Sequence, residues 1–175
     1  MSFVSPENAV SHFHLHEGDA VSDFGAGSGW FARALSRAVG RTGKVYAFEI
    51  QKPLVEHVAR IAQEEHLENV EVLWCDLETE HGCKLQNDLL DAGVLSNTLS
   101  QLTDKGSALE EIRRMLRKGG KLFVLDWSDT SGVSPKASVL LPEAQAKTLV
   151  EEHHFNFVRS FPAGDHHYGL AFQAA

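Results

Sequence analysis

"VSDFGAGSGWFARAL", residues 21–35, is the stretch whose reading decides the fold. A short apolar run ends on Asp23 and Phe24, breaks into Gly25, Gly27 and Gly29, and resumes with apolar residues at helical spacing. Glycines let a backbone approach a ligand closely, and the helix that follows offers unpaired N–H groups and the positive end of its dipole. Turns of this kind bind nucleotides. The dinucleotide fingerprint Gly-x-Gly-x-x-Gly fits poorly here. Counted from Gly25 the sixth position is Trp30; counted from Gly27 it is Ala32, which the looser form allows only with Trp30 inside the phosphate turn. A P-loop is excluded, because no Gly-Lys-Ser/Thr follows.

Outward from the turn, strand and helix patterns alternate. "SPENAVSHFHL" (5–15) reads as a helix with Ser5 as N-cap and Pro6 in its first position. "DAVSDF" is a strand, "GWFARALSRAV" a helix, "GKVYAFE" a strand, "PLVEHVARIAQEEH" a helix and "VEVLWC" a strand. "LLDAGVLS" is a fourth strand. "SALEEIRRMLRK" (107–118) is a helix closed by Gly119 and Gly120, and "KLFVLDW" is a fifth strand with the continuous apolar run of one covered on both faces. After a polar loop (128–138) come a helix near "PEAQAKTLVEEH" and two strands, "FNFVRSF" and "YGLAFQ". Those last two are joined too closely for a crossover helix, so they pair antiparallel. The expectation is an α/β, Rossmann-like three-layer sandwich, its seven-stranded sheet mostly parallel with an antiparallel C-terminal hairpin. The connection from 77 to 88 carries no helix pattern and predicts a thin layer there.

At 175 residues, with 43% hydrophobic and 23% charged residues, the chain reads as one globular domain, 1–175. No run of about 18 apolar residues is present, and "MSFVSPENAV" lacks the pattern of a signal peptide. Cys75 and Cys83 make neither a disulfide framework nor a metal motif, which predicts a reducing, cytoplasmic setting. The formal charge of −8 comes without a basic run, so a nucleic-acid partner is disfavoured. "RRMLRK" (113–118), at a helix end, complements the helix dipole. His12, His14 and His16 alternate; on a helix only His12 and His16 would share a face, and no third ligand is placed, so no metal site is expected. Trp30, Trp74 and Trp127 read as packing residues, with Trp127 on the ligand side of the sheet.

The glycine stretch resembles motif I of the class I S-adenosylmethionine-dependent methyltransferases, an acid, one residue, then Gly-x-Gly-x-Gly: Asp23, Phe24, Gly25, Ala26, Gly27, Ser28, Gly29. Four further segments follow in the family's order: "VYAFEI" with Glu49 and Ile50, "VLWCDLE" with Asp76, "DAGVLSN" with Ser96, and "LRKGGKLFVLDW". The chain also looks like small members related to the quinone-biosynthesis C-methyltransferases and arsenite methyltransferases. The resemblance implies S-adenosyl-L-methionine as cofactor and S-adenosyl-L-homocysteine as product. It puts Asp23 near the ammonium group, Glu49 on the ribose hydroxyls, Asp76 on the adenine amino group, and the backbone of Cys75 and Leu77 around the ring. Alone, an acid after a strand is as readily a turn or capping residue.

Methyl transfer needs in-line positioning more than a protein nucleophile, and a base only if the acceptor is protonated in its reactive form. Arsenite chemistry needs several thiols, and the Asp/Asn-Pro-Pro-Tyr/Phe pattern of amino-directed enzymes is missing after strand four, where the sequence reads Ser96, Asn97, Thr98. A small-molecule acceptor is therefore expected. The alternatives are a cofactor-binding protein without turnover and, more distantly, a nicotinamide oxidoreductase. Residues 1–16 are expected to cover the bound cofactor rather than extend the core, against the alternative of a surface helix packed elsewhere. Topology puts the hairpin "PAGDHHYG" at the rim of the crevice, with Asp165, His166, His167 and Tyr168; His167 and Tyr168 are the catalytic candidates on the acceptor side.

Overall fold

The computed structural model describes residues 5–128 and 140–175. In chain order its elements are α1 (Pro6–Ser11), β1 (Ala20–Phe24), α2 (Trp30–Val39), β2 (Lys44–Glu49), α3 (Lys52–Glu64), β3 (Val70–Trp74) and β4 (Leu90–Ser96). A 3₁₀ turn (Leu99–Gln101) precedes α4 (Lys105–Met115), β5 (Leu116–Trp127), α5 (Glu143–Glu152), β6 (Phe155–Pro162) and β7 (His167–Ala174). The strands form one sheet in the order β3-β2-β1-β4-β5-β7-β6. β1 to β5 pair in parallel, whereas β7 runs antiparallel to both β5 and β6. This is the expected mostly parallel sheet with its antiparallel hairpin. Chain order reverses direction beside β1, and all the parallel strands present their carboxyl ends on one side, where ligands of open α/β sheets bind.

Two apolar layers flank the sheet. On one face Val10, Phe31, Leu35 and Val58 from α1, α2 and α3 pack against Val21, Val45 and Val94. On the other, Leu109, Ile112 and Val150 from α4 and α5 pack against Phe24, Leu95 and Val124. Each such side chain, fully buried, contributes roughly 1.5–3 kcal/mol. β4 carries Gly93 under the ring of Phe24, and a Cβ there would lie 2.3 Å from Phe24 Cε2. The ring of the residue before the glycine turn is thus a core residue.

Two helices differ from their sequence reading. α1 ends at Ser11, because the Ser11 hydroxyl donates to the Asn8 carbonyl and the His12 N–H to that of Ala9, closing a tight last turn. The chain then swings so that Phe13 stacks on Phe123 with ring centroids 3.9 Å apart. His12, His14 and His16 therefore share no helix. α4 begins at Lys105, capped by the Asp104 carboxylate on the Ser107 N–H at 3.0 Å, and stops at Met115. Gly119 and Gly120 lie inside β5 rather than capping that helix. A Cβ on Gly120 would lie 2.9 Å from the Arg117 carbonyl and 3.1 Å from that of Leu90, where the β4–β5 register shifts.

The connection from 75 to 89 has no regular element, as its pattern predicted, and is held from α4. Glu111, only 3% exposed, accepts the N–H groups of His81 and Cys83, both at 3.1 Å. Arg114 donates to Glu111 and to the carbonyls of Cys83 and Leu85. Within this loop Cys75 and Cys83 are joined as a disulfide, their Cα atoms 4.6 Å apart. That corrects the expectation that Cys75 and Cys83 make no disulfide framework, and with it the reducing setting read from their lack of pairing. The reversal that brings them together requires Gly82, where a Cβ would lie 2.1 Å from the Asp76 carbonyl oxygen. The basic stretch at 113–118 is engaged internally as well: Arg113 donates to the Leu116 carbonyl, and Arg117 pairs with Asp91.

Candidate functional site

The loop after β1 is fixed from β2. The N–H groups of Gly25 and Ala26 both donate to the Phe48 carbonyl, at 2.9 and 2.8 Å. Gly25 has φ +78°, and a Cβ there would lie 2.6 Å from Thr98 Oγ1, so both backbone conformation and space demand glycine. Gly27 differs: its φ is +53°, but a Cβ would meet nothing closer than 4.0 Å, leaving open space above the turn. Gly29 caps α2 and packs on Val58.

Glu49 ends β2 beneath this turn and is 6% exposed. One carboxylate oxygen accepts the Gly27 N–H at 2.9 Å and the other the Gln51 N–H at 2.9 Å. Each oxygen keeps acceptor capacity for a further donor. Asp23, one strand over, is 2% exposed, and its Oδ2 has no hydrogen-bond partner among the described residues. Burial pushes its carboxyl up to about 7; the Ala32 N–H opposes the rise and the nearby charge of Glu49 adds to it. A buried carboxylate oxygen without a donor is rare, and a cationic ligand group would complete it.

Two adjoining cavities open at the carboxyl ends of the strands. One, of about 440 Å³, is lined by Gly25, Gly27, Glu49, Ile50, Cys75, Asp76, Leu77 and Ser96, together with Gln51, Leu54, Thr98, Gln101 and Leu102. The other, of about 480 Å³, shares Gly25, Gly27, Ser96 and Asn97 with it and adds Asp23, Pro6, Glu7, Trp30 and Phe31. Asp76 faces the first cavity with both oxygens already accepting, from the Glu78 N–H at 3.0 Å and the Thr79 hydroxyl at 2.9 Å. Its turn-forming role and a ligand contact would share one carboxylate.

At the far rim, Asn97 adopts φ +52° and donates its N–H to the Leu125 carbonyl. Its Oδ1 lies 2.9 Å from Nε2 of His167, which sits 4.1 Å from the Trp127 ring, centroid to centroid. Tyr168, the neighbouring candidate, is buried, and its hydroxyl donates to the Leu141 carbonyl at 3.0 Å. Burial raises the phenol further, and the Asp126 and Glu143 charges add to that. A tyrosine so placed is suited to holding structure rather than taking a proton. Asp126, fully buried, accepts the Ser100 N–H and hydroxyl at 2.9 and 2.8 Å and fixes the segment after β4 to β5. Burial raises this carboxyl too, against the hydrogen bonds from Ser100 and Trp127.

The geometry thus gathers ten of the eleven cofactor-side residues named from sequence around the glycine turn, counting Gly29 as part of it; Phe24 lies in the core beneath. Trp30 and Trp74 depart from their packing role, being 60% and 47% exposed. Arg33 lies over the Trp30 ring at 4.7 Å, and Trp74 donates its indole N–H to the Ile50 carbonyl at 2.7 Å. Of the segment expected to cover the cofactor, Ala9, Val10 and Phe13 pack in the core, while Pro6 and Glu7 line the second cavity; residues 1–4 lie outside the described residues.

A family of methyltransferase domains matches residues 15–159. The chain belongs to this methyltransferase family. The family and fold carry S-adenosylmethionine as cofactor, and the nicotinamide alternative falls away. Among solved structures, an S-adenosylmethionine-dependent methyltransferase from Aquifex aeolicus is 26% identical, with a TM-score of 0.92 over 99% of this chain and 91% of that one. A ubiquinone/menaquinone biosynthesis C-methyltransferase from Chromobacterium violaceum is 31% identical over 114 residues, 65% of this chain and 45% of the relative. A 2-phytyl-1,4-naphtoquinone methyltransferase from Trichormus variabilis is 28% identical over 95% of this chain and 76% of its own length. The chain spans about half the length of the quinone C-methyltransferases that it matches. A [4+2]-cyclase shares the fold of this methyltransferase domain at a TM-score of 0.82 with 15% identity. Among the described residues no helix is long and apolar enough to cross a membrane.

Proposed function

We propose that this methyltransferase domain, read as one unit over 1–175, transfers a methyl group in line to a small, hydroxylated aromatic acceptor. The observation that carries the reading is the placing of Asp23, a buried carboxylate with an oxygen lacking a donor among the described residues, on one of the two cavities that meet at the glycine turn, and of Glu49, whose carboxylate the turn holds, on the other. Asp23 would receive the ammonium group of the cofactor, Glu49 its ribose hydroxyls, and Asp76 its adenine amino group, with Ile50 and Leu77 on the ring faces. The open space above Gly27 accommodates the methionine portion. Bound there, S-adenosylmethionine supplies an electrophilic methyl and its own leaving group.

The acceptor would enter through the second cavity, between α1 and the glycine turn, with Trp30, Glu7 and Asn97 on its walls. Methylation of a phenolic ring carbon is assisted by removing the hydroxyl proton. His167, held by Asn97 at the rim, is the group we assign to take it, with Tyr168 fixing the strand beside it. The quinone-directed relatives support an aromatic carbon as the methylated atom.

The test is formation of S-adenosylhomocysteine when the protein is given S-adenosylmethionine and a panel of hydroquinones and catechols. Product with at least one of them supports the reading. The cyclase shows that this fold also serves other chemistry, so a second reading is cofactor binding without methyl turnover. Tight S-adenosylhomocysteine binding with no product across the panel would favour it.

A further inference from the structure

The disulfide lies where the adenine ring is proposed to sit. Cys75 directly follows β3, donates its N–H to the Glu49 carbonyl at 3.1 Å, and lines the first cavity beside Asp76 and Leu77. Cys83 does not line that cavity. Its N–H is held by Glu111 and its carbonyl by Arg114, so α4 fixes it independently of its partner. Both cysteines are almost wholly enclosed, at 2% and 1% exposure. The bond therefore ties a wall of the ligand cavity to a rigid anchor on the opposite helix layer.

We propose that Cys75 and Cys83 form a reversible oxidation site whose state is coupled to occupancy of the cofactor cavity. The oxidant is a small soluble disulfide. The thiolate of Cys75 attacks one of its sulfurs, expelling one thiol and forming a mixed disulfide. Cys83 then displaces the second thiol, leaving the Cys75–Cys83 bond. Two protein thiols and one small disulfide become one protein disulfide and two small thiols, so electrons and protons balance. Reduction runs the same exchange backwards.

Two consequences follow from where the sulfurs lie. Cys75 lines the cavity and Cys83 does not, so the route we assign to a reagent runs through the volume that the cofactor fills. A bound ligand should then slow the exchange in both directions. The cross-link also holds the segment bearing Asp76 and Leu77 in the conformation that forms the wall. Without it, that segment is left with the Cys75 N–H on the Glu49 carbonyl, the turn bonds among Asp76, Glu78, Thr79 and Gly82, and the Asp104 N–H on Glu78. Preorganisation favours the oxidised form as the tighter binder.

The proposal rests on the cofactor site proposed above, and the experiment separates the two. The full chain is prepared oxidised with oxidised glutathione and reduced with dithiothreitol, and its free thiols are counted after denaturation. S-adenosylhomocysteine affinity is measured by calorimetry for both forms, and the rate of reduction is followed with and without saturating ligand. Binding in either form establishes the site. The expected results are interconversion between two free thiols and none, affinity at least about threefold tighter when oxidised, and slower reduction with ligand bound. Cys83→Ser should bind like the reduced protein under both treatments, with its circular dichroism verifying the fold. Equal affinities of the two wild-type forms together with reduction rates indifferent to ligand would overturn the coupling. Thiols that stay free under oxidant would overturn the site itself.

Discussion

Replacing Asp23 by asparagine should make the ligand-free protein more stable above neutral pH and a poorer binder of its cofactor. Burial raises this carboxyl from 3.8 to about 7. Between those values the folded chain holds a proton that the unfolded chain has released. Stability conferred by the buried, neutral carboxyl is therefore full below pH 3.8 and falls as pH rises towards 7. At 1.36 kcal/mol per pH unit, that interval corresponds to about 4 kcal/mol if Asp23 acted alone. The amide introduced by Asp23→Asn is neutral throughout, so the variant should lack this decline and be several kcal/mol more stable than wild type at pH 8 in urea unfolding. Ligand binding reverses the sign. An ammonium group beside Oδ2 favours the carboxylate, so binding near pH 6 should release up to about one proton, and near pH 8.5 almost none. Calorimetry of S-adenosylhomocysteine in buffers of different ionisation enthalpy counts that proton. In the variant the release should vanish and affinity should drop by about 1.5–3 kcal/mol, the value of a charge-assisted bond. Wild-type and variant stabilities that run parallel from pH 4 to 8, or binding at pH 6 without proton release, would refute the reasoning.

Glu49→Ala removes the acceptor for the ribose hydroxyls and for two backbone N–H groups. S-adenosylhomocysteine should bind about 1.5–3 kcal/mol more weakly by calorimetry. His167→Ala and Asn97→Ala should each cut methyl transfer to an identified acceptor while leaving cofactor affinity within about threefold, the split expected of acceptor-side groups; steady-state kinetics and calorimetry together decide it. Arg114→Ala leaves Glu111 buried without its cation and frees two loop carbonyls. It should lower unfolding free energy by about 3–5 kcal/mol in denaturant titration.

What the sequence displayed was whatever repeats locally. The alternation of strand and helix, the Ser5 and Pro6 start of α1, and the acids closing β1 and β2 are patterns a few residues long, and all five parallel strands follow from them. The C-terminal hairpin was legible because the six residues "PAGDHH" between the two strand patterns are too few for a crossover helix. The parts that escaped are contacts between distant segments. Thr98 beneath Gly25, Asp126 holding Ser100, and Glu111 holding the 81–83 backbone join residues 26 or more positions apart and leave no periodic trace. The cysteine pair, only eight residues apart, escaped because no repeating pattern marks the reversal at which Gly82 approaches Asp76. Trp30 was misplaced because an indole reads as core by composition, whereas here it stands at the mouth of a crevice with Arg33 over one side. The helix boundary at Met115 was lost where propensity and pairing conflict, and pairing with β4 won.

Strand β7 is made after β6 yet lies between β6 and β5. A nascent chain emerging from the ribosome would therefore complete β1 to β5 and their helices with one flank still open. β6 has no seat on that flank until β7 arrives, because among the described residues its ladder is to β7 alone. Until then the edge of β5, with apolar Leu122 to Leu125, stays bare. An exposed edge of that kind invites pairing with another chain. Vectorial synthesis thus leaves this protein most vulnerable to association late, in the interval between the sixth and seventh strands.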